Sequence, residues 1–257
     1  MRGLLMVGVL LLAACSTTDG ATDGAATPMG LRVDYQLGGA YPPADDVTGV
    51  VRDRTDPPAP GLWSACYVNA FQTQPGTDDV PEDLLLHDAA GARVEDPDWP
   101  GEFLLDIGSA DQRARVADLV GGWIDRCADD GFDAVEPDNL DSWTRSQDLL
   151  GEDDARSMAE LLVERAHDAG LDIAQKNAAD LDGRALGFDY AVTEQCQVYD
   201  ECAAYTDAYG DAVVEIEYTD EAFAAACDAR GGTIAVQRRD LDVSVPGTEG
   251  YESRFCD

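Results

Sequence analysis

The acidic side chains of this sequence gather at the ends of short apolar runs. Each run has the length and composition of a buried β-strand, and the carboxylates that close them are Asp34, Asp106, Glu136, Asp138, Glu194 and Glu217. Paired carboxylates can hydrolyse a glycosidic bond, one as the acid that protonates the leaving oxygen and the other as nucleophile or base. Taken singly, each carboxylate could instead belong to a buried ion pair or a helix cap. The set as a whole favours glycoside hydrolysis.

Other common catalytic arrangements find little support in the chain. There is no G-x-S-x-G motif, and the two histidines, His87 and His167, lie outside the predicted strand ends, which leaves a Ser-His-Asp triad without a base. No phosphate-binding glycine loop and no CxxC pair occur. We therefore predict neither a cofactor nor a metal ion, although the segment EPDNLD leaves an oxygen-ligated cation as a minor alternative.

Lys176 is the only lysine in the chain, and it stands at a predicted strand end. A lysine there could form a Schiff base with a carbonyl substrate, as in aldolase-type chemistry. Neighbouring carboxylates would hold its pKa high and so disfavour an amine nucleophile. We expect Lys176 to pair with carboxylates or to donate a hydrogen bond to a substrate, and a lyase is the less favoured alternative.

The composition of the chain is strongly acidic. Its 257 residues include 17 Lys and Arg against 52 Asp and Glu, a formal net charge of −35. Nucleic acids and anionic membrane surfaces attract basic side chains, so neither is expected as a charge-driven partner. An acidic cleft would attract a cationic substrate, whereas solubility or salt adaptation would explain the same composition without a cleft. The charge alone leaves both explanations open.

The first residues are typical of an export signal. Arg2 precedes the apolar run 3–12, which is too short to span a bilayer and ends in Leu-Ala-Ala-Cys, similar to a bacterial lipobox. We predict a lipoprotein signal peptide over 1–14, a lipidated Cys15 with a flexible tether over 15–30, and one domain over 31–257. The domain would be exported and held at the outer face of a bacterial membrane only by this lipid. An ordinary signal peptide is the alternative.

Export would place the six remaining cysteines in an oxidising compartment. Six cysteines allow 15 pairings, and the sequence does not choose among them. Our working assignment joins Cys196 to Cys202 across a small loop and Cys227 to Cys256 near the C-terminus, which leaves Cys66 with Cys127.

Strand and helix patterns alternate along the domain, as in a parallel sheet with helical crossovers. The eight predicted strands are 31–37, 62–69, 103–107, 132–136, 171–175, 190–194, 212–218 and 233–237. Amphipathic helices are predicted to begin at Ser109, to cover 155–166 and to begin again at Thr219. Eight strands predict a single (β/α)8 TIM barrel with some short or irregular helices, in which 42–60 is a long loop. A doubly wound open sheet is the alternative.

In a barrel of this kind the active site is built at the carboxyl ends of the strands. We therefore expect the strand-end carboxylates to share one cleft with polar and aromatic neighbours that stack on sugars or bond to them. The predicted substrate-binding residues are Asp34, Tyr35, Tyr67, Asp106, Glu136, Asn139, Asp141, Lys176, Asn177, Glu217 and Tyr218.

Seven segments, in order from about Leu31 to Tyr218, resemble a known family. They are DYQLGGAY (34–41), WSACYVNAF (63–71), WPGEFLLDI (99–107), GFDAVEPDNLD (131–141), AHDAGLDIAQKN (166–177), FDYAVTEQCQVYDECAAY (188–205) and EIEY (215–218). The family they resemble is glycoside hydrolase family 114, the endo-α-1,4-polygalactosaminidase family, whose fold is a (β/α)8 barrel. EPDN and EQC-x5-C are specific when they occur together.

The resemblance implies hydrolysis of α-1,4-linked galactosamine and N-acetylgalactosamine polymers. By the same likeness the catalytic pair would be Asp138, in EPDN, and Glu194, in EQC, and the C-x5-C spacing supports the Cys196–Cys202 bridge. Two segments depart from the family pattern. Ser142-Trp143 stands where Gly-Tyr is more typical, a change that could alter a sugar subsite, and Ala174-Gln175 replaces a more usual Gly-Leu.

A cationic amino-sugar polysaccharide is therefore the expected partner, bound by a monomer. Free galactosamine units carry a positive charge, so the acidity of the chain and the resemblance point to the same substrate class. The main alternative is a cell-surface lipoprotein that binds such a glycan on the same barrel without cutting it.

Overall fold

Eight parallel strands form one curled sheet whose order follows the sequence. The computed structural model describes residues 28–75 and 80–257. The strands are β1 (Val33–Gln36), β2 (Gly49–Asp53), β3 (Trp63–Asn69), β4 (Ala134–Asp138), β5 (Asp172–Lys176), β6 (Tyr190–Glu194), β7 (Val213–Glu217) and β8 (Ala235–Arg239). A doubly wound sheet reverses its strand order at a switch point, whereas a barrel does not. The fold is therefore TIM-barrel-like.

Side-chain hydrogen bonds join the last parallel strand to the first. Gln237 Oε1 accepts from the backbone N–H of Tyr35 at 2.8 Å, and Gln237 Nε2 donates to Asp34 Oδ1 at 2.8 Å. A short strand β9 (Ser253–Phe255) pairs antiparallel with β8. These contacts bring the two ends of the curled sheet together.

Seven of the eight predicted strands are confirmed, and the prediction for 103–107 is wrong. Phe103 and Leu105 form isolated antiparallel bridges with residues of the segment between β3 and the first long helix. The missing barrel strand is β2, which lies within the segment expected to be a loop. All five of its residues are buried, and so short a strand among prolines and aspartates has no periodicity that the sequence could reveal.

Helices cover the outside of the sheet. They are α1 (Ala110–Asp130), α2 (Glu152–Asp168), α3 (Gly183–Leu186), α4 (Cys196–Tyr199), α5 (Cys202–Tyr209) and α6 (Asp220–Arg230), with single 3₁₀ turns at Glu82–Leu84 and Ser142–Arg145. The side chains of Ser109 and Thr219 accept hydrogen bonds from N–H groups three residues on, which satisfies a free donor at each helix start. The predicted starts of α1 and α6 are thereby confirmed.

The tripeptide Gly-(Phe/Leu)-Asp opens three consecutive strands. It occurs at 131–133, 170–172 and 187–189. The glycines follow α1, α2 and α3 with φ angles of 91°, 80° and 100°, a left-handed conformation that glycine adopts without strain. The first and third aspartates accept hydrogen bonds from the backbone N–H groups of Ser64 and Ile173 on the neighbouring strands. The repeat therefore fixes the amino ends of β4 to β6, and with them the positions of the carboxyl ends.

All three disulfides of the working assignment are present. Cys66–Cys127 joins β3 to α1, Cys196–Cys202 closes the loop after β6, and Cys227–Cys256 joins α6 to the segment after β9. Cross-links of this kind stabilise a fold mainly by restricting the unfolded chain.

The predictions for the N-terminus lie outside the described residues. The signal peptide, Cys15 and most of the tether precede residue 28. Within 28–75 and 80–257, no helix combines the length and the apolar composition that crossing a bilayer requires.

Candidate active site

A cavity of about 730 Å³ opens at the carboxyl ends of the strands. Strands β3 to β6 contribute to its lining, among others through Tyr67, Asp138, Lys176 and Glu194. Further walls come from the segment before α1 and from the loop after β8. The volume is in the usual range of small-molecule sites.

The side chain of Lys176 lies at the centre of this site and is only 1% exposed. Its Nζ is 3.1 Å from Glu136 Oε1, 3.2 Å from Glu194 Oε2 and 3.6 Å from Asp138 Oδ1. It also donates a hydrogen bond to the hydroxyl oxygen of Tyr35 at 2.8 Å. One ammonium group therefore contacts three carboxylates, as the sequence suggested for an ion-pair partner.

The carboxylates keep Lys176 charged. Burial alone would lower its pKa, but the charges of Asp138 and Glu194 raise it, and the net shift is well upward. The side chain therefore remains an ammonium at physiological pH. Because a Schiff base needs a free amine, this environment disfavours the lyase alternative.

Glu136 contacts Lys176 without lining the cavity. Its side chain is fully buried, Oε1 accepts from the hydroxyl of Tyr35 at 2.5 Å, and Oε2 has no hydrogen-bond partner. Burial raises the pKa of Glu136 to about 7, against the opposing effects of Lys176 and Tyr35. Glu136 can therefore hold a proton near neutral pH, and it positions Lys176 from within the barrel.

Asp138 and Glu194 are the carboxylates that combine contact to Lys176 with access to the cavity. Their side chains are 19% and 23% exposed. Tyr67 donates its hydroxyl hydrogen to Asp138 Oδ2 at 2.8 Å, and Tyr218 donates to Glu194 Oε1. Burial first, and then the adjacent carboxylate, raises the pKa of each tyrosine well above its usual value. Both hydroxyls therefore remain donors, and the two carboxylates have matching surroundings.

Asn139 and Asn177 hold these carboxylates from the residues that follow β4 and β5. The backbone N–H of Asn139 donates to Asp138 Oδ1 at 2.8 Å. Asn177 accepts from the backbone N–H of Glu194 at 2.8 Å and donates to its Oε2 at 3.3 Å. Both asparagines have positive φ, 65° and 49°, which costs energy and is often found at functional sites.

Three of the predicted substrate-binding carboxylates neither line the cavity nor contact Lys176. Asp34 is buried and accepts from Gln237 at the seam between β8 and β1. Asp106 accepts from the side chain of Gln112, because 103–107 is not a barrel strand. Glu217 accepts from a backbone N–H of α4, and burial raises its pKa to about 7. A strand end identifies an edge of the sheet, but it does not decide which side chains turn into the cavity.

The other predicted residues fall into two groups. Tyr35 and Glu136 lie behind Lys176 and contact it. The cavity-lining group is Tyr67, Asn139, Asp141, Lys176, Asn177 and Tyr218. Asp141 is paired with Arg145, at 3.0 Å between Oδ1 and the guanidinium. The substrate-binding roles of these residues remain predictions.

The sequence reasoning missed a further wall of the cavity. Glu102 lines it, is 8% exposed, and accepts hydrogen bonds at Oε2 from the side-chain amides of Asn69 and Gln72. Trp99 lines the same wall with 53% of its surface exposed. Both residues belong to the WPGEFLLDI segment, but no barrel strand ends at Glu102, so a strand-end pattern does not identify it.

One group of three potential metal ligands occurs in the described part of the chain. It consists of Cys196, Cys202 and Glu215. The two cysteines share a disulfide and so offer no thiolate, which is the form of cysteine that binds zinc.

Residues 15–257 match the sequence model of glycoside-hydrolase family GH114. This chain belongs to that family. The resemblance carried by the EPDN and EQC motifs is thereby confirmed, and the GH114 protein is a glycoside hydrolase. None of the curated proteins matches its sequence.

Two solved structures are similar to this GH114 protein over nearly their whole length. Ega3 from Aspergillus fumigatus, in complex with galactosamine, is 25% identical, with 91% of this chain and 99% of Ega3 covered and a TM-score of 0.70. The glycoside hydrolase domain of PelA from Pseudomonas aeruginosa is 15% identical, with 86% and 98% covered and a TM-score of 0.56. The likeness to PelA supports the fold alone.

Proposed function

We propose that this protein is an endo-acting glycosidase that hydrolyses α-1,4-linked polymers of galactosamine and N-acetylgalactosamine. One observation carries the proposal: in a GH114 member, Asp138 and Glu194 face one cavity and share the ammonium of Lys176. The galactosamine complex of the similar protein Ega3 supports the substrate class. A net charge of −35 suits a cationic polymer.

The spacing of the two carboxylates favours a retaining mechanism. Lys176 Nζ is 3.6 Å from Asp138 Oδ1 and 3.2 Å from Glu194 Oε2, so these two oxygens are at most about 7 Å apart. The carboxyl groups of retaining glycosidases are about 5–5.5 Å apart, whereas those of inverting enzymes are about 6.5–9.5 Å apart to admit a water molecule. Most of the inverting range is too long for this pair of oxygens.

In the proposed reaction, one carboxyl group protonates the glycosidic oxygen as its bond to the anomeric carbon breaks. The other carboxylate forms a bond to that carbon. A water molecule then attacks the same carbon, returns a proton to the first group and releases the second, so the net change is the addition of one water. We expect NMR to detect the α-anomer as the first product, and initial release of the β-anomer would contradict the retaining mechanism.

The activity is tested with the chain carrying Cys15→Ser, so that no lipid is attached. The substrate is partly deacetylated α-1,4-galactosaminan, and the readout is mass spectrometry of the released oligosaccharides. A ladder of short oligomers is expected. Release of monosaccharide alone would contradict endo action. Retained polymer binding without products would instead support the glycan-binding lipoprotein.

We also propose that the protein is a monomeric lipoprotein at the outer face of a bacterial membrane. The lipobox-like Leu-Ala-Ala-Cys ending at Cys15 supports a lipid anchor, and the three disulfides suit an oxidising compartment. We expect the wild-type protein to sediment with membranes and the Cys15→Ser variant to remain in the supernatant. An equal distribution of the two proteins would contradict the anchor.

A further inference from the structure

A tight turn at Trp99–Glu102 forms one wall of the cavity. The backbone N–H of Glu102 donates to the carbonyl oxygen of Trp99 at 3.0 Å, and the N–H of Asp96 donates to the carbonyl oxygen of Glu102 at 2.8 Å. Gly101 within the turn has a φ of 93°, which glycine adopts readily. The turn thus presents an indole ring and a carboxylate to the same cavity.

Arg145 ties this turn to the residue that follows Asp138. Its Nε donates to Asp96 Oδ2 at 2.8 Å, and the side chain of Asp96 is fully buried. A second guanidinium nitrogen of Arg145 donates to Asn139 Oδ1 at 3.0 Å. Because buried charge-assisted hydrogen bonds are strong and directional, the turn has a defined position relative to the catalytic pair.

Glu102 is a buried carboxylate without a cation. Its Oε2 accepts from Asn69 Nδ2 at 3.1 Å and from Gln72 Nε2 at 2.7 Å. Within the described part of the chain, no hydrogen bond or ion pair reaches its other oxygen, Oε1. Buried carboxylates are normally paired with a positive charge, so the cavity wall lacks the cation that this side chain would ordinarily have.

Gln72 adds a second acceptor without a donor. It lines the same cavity and is 1% exposed, and its Oε1 is buried without a hydrogen-bond partner. Among the described residues, Glu102 Oε1 and Gln72 Oε1 therefore both lack a hydrogen-bond donor. An ammonium group offers three donors and no acceptor. An N-acetyl group offers one N–H, carries no charge, and brings a carbonyl oxygen that a carboxylate would repel.

We infer that Glu102, with Gln72 beside it, binds the 2-ammonium group of one galactosamine unit while Trp99 stacks on a sugar ring at the same wall. Glu102 is therefore a specificity-determining residue, which makes this subsite prefer a free amine over an N-acetyl group. The inference rests on the proposed function, because it takes the polymer of galactosamine as the substrate.

The test compares the binding of two monosaccharides by titration calorimetry, with the Cys15→Ser chain as the parent protein. Charge-assisted hydrogen bonds contribute about 1.5–3 kcal/mol, which corresponds to roughly 10- to 150-fold in affinity. We expect Glu102→Gln to weaken galactosamine binding by at least about tenfold and N-acetylgalactosamine binding by less than about twofold. Asp98→Asn is the matched control, because it removes an exposed carboxylate from the same segment. Its effect should stay within about twofold.

Three results would overturn the inference. Parallel losses for both sugars in Glu102→Gln would mean that Glu102 only supports Asn69 and the cavity wall. Unchanged galactosamine binding would mean that the ammonium binds elsewhere. An equal loss in Asp98→Asn would mean that diffuse negative charge, and not Glu102, attracts the amine.

The same variants separate this inference from the proposed function. Selective galactosamine binding by the parent protein without polymer cleavage would contradict the hydrolase and leave the amine subsite standing. Cleavage by both proteins, with Glu102→Gln slowed equally on polymers of low and high acetyl content, would support the hydrolase and overturn the subsite. We expect the variant to be slowed at least about fivefold more on the polymer of low acetyl content.

Discussion

The two ends of the barrel both carry carboxylates, but their partners differ. At the amino ends of the strands, Asp133 and Asp189 accept hydrogen bonds from backbone N–H groups of neighbouring strands. At the carboxyl ends, Asp138 and Glu194 each accept from a tyrosine hydroxyl and share the ammonium of Lys176. Asp133 and Asp189 connect one strand to the next through the backbone, whereas Asp138 and Glu194 remain partly exposed to the cavity. A carboxylate at a strand end therefore indicates a functional site only when its hydrogen-bond partners are known.

The basic side chains at the two ends differ in exposure as well. Lys176 is 1% exposed among three carboxylates, whereas His167, 2.9 Å from Asp189, has 44% of its side chain exposed. Solvent screens the exposed pair and leaves it a small contribution to stability, while the buried group has no such screening. Substitutions at the carboxyl ends of the strands should consequently have large effects on activity or stability. Substitutions at the amino ends should have small effects on stability.

The largest effect is expected from neutralising the proposed catalytic pair. Asp138→Asn and Glu194→Gln should each lower kcat/KM on the galactosamine polymer by about 10²- to 10⁴-fold, because each removes one of the two groups that the reaction needs. Asp133→Asn is the control at the opposite end of the barrel. It should lose about 1 kcal/mol of stability and change activity by less than about twofold. Activity near the parent level in either site variant would rule out the assignment.

Removing the buried cation should mainly affect stability. Lys176→Met leaves Glu136, Asp138 and Glu194 without their shared ammonium, and breaking a buried ion pair costs roughly 3–5 kcal/mol. We expect the free energy of unfolding at pH 8 to fall by about that amount. The loss should be smaller at pH 5, where Glu136, with a pKa of about 7, is protonated and needs no cation. Denaturant titrations at the two pH values measure this.

The control for the cation is the surface pair of Arg165 and Asp125, whose side chains are 47% and 43% exposed. Arg165→Met should cost less than about 1 kcal/mol. Equal losses in the two variants would show that burial does not set the cost of removing a cation.

The smallest of the three main effects, controls aside, is expected at the amino end, from Asp172→Asn. Burial, and then the charge of Asp189, raises the pKa of Asp172 to about 6 from an ordinary value of 3.8. The folded state then holds this proton more tightly than the unfolded state, so the contribution of Asp172 to stability declines as pH rises from about 4 to 6. The variant should be more stable by about 1 kcal/mol above pH 6 and show no gain below pH 4. Destabilisation at every pH would contradict this.

Much of the site could be predicted because its signals are local. The EPDN and EQC motifs end two strands whose apolar residues are contiguous in sequence, and Lys176 ends a third. Parallel strands bring their carboxyl ends to one edge, so these residues had to be neighbours. The glycines at 131, 170 and 187 mark where strands begin for an equally local reason, since few other residues adopt their φ angles.

Other features depend on contacts that no local pattern encodes. Strand β2 could not be recognised from the sequence, although all its residues are buried. It has only five residues, and the prolines and aspartates around it leave no regular hydrophobic pattern. Phe103 and Leu105 have the composition of a strand, but they pair with nearby residues outside the barrel, which removes Asp106 from the site. Glu102 enters the cavity wall because Arg145 binds Asp96 from 49 positions away.

The amino-acid sequence contains the chemistry available to this protein: a single lysine, carboxylates at strand ends, six cysteines in the folded domain and the motifs that identify a GH114 glycoside hydrolase. Which of these groups come into contact depends on the tertiary structure. Lys176 contacts Glu136 and Tyr35 across separations of 40 and 141 residues, and Glu102 lies beside Gln72, whose Oε1 has no donor among the described residues. Curling of the sheet and packing of the loops at its edge create these contacts, because burial and strand pairing fix side chains in space independently of their distance along the chain.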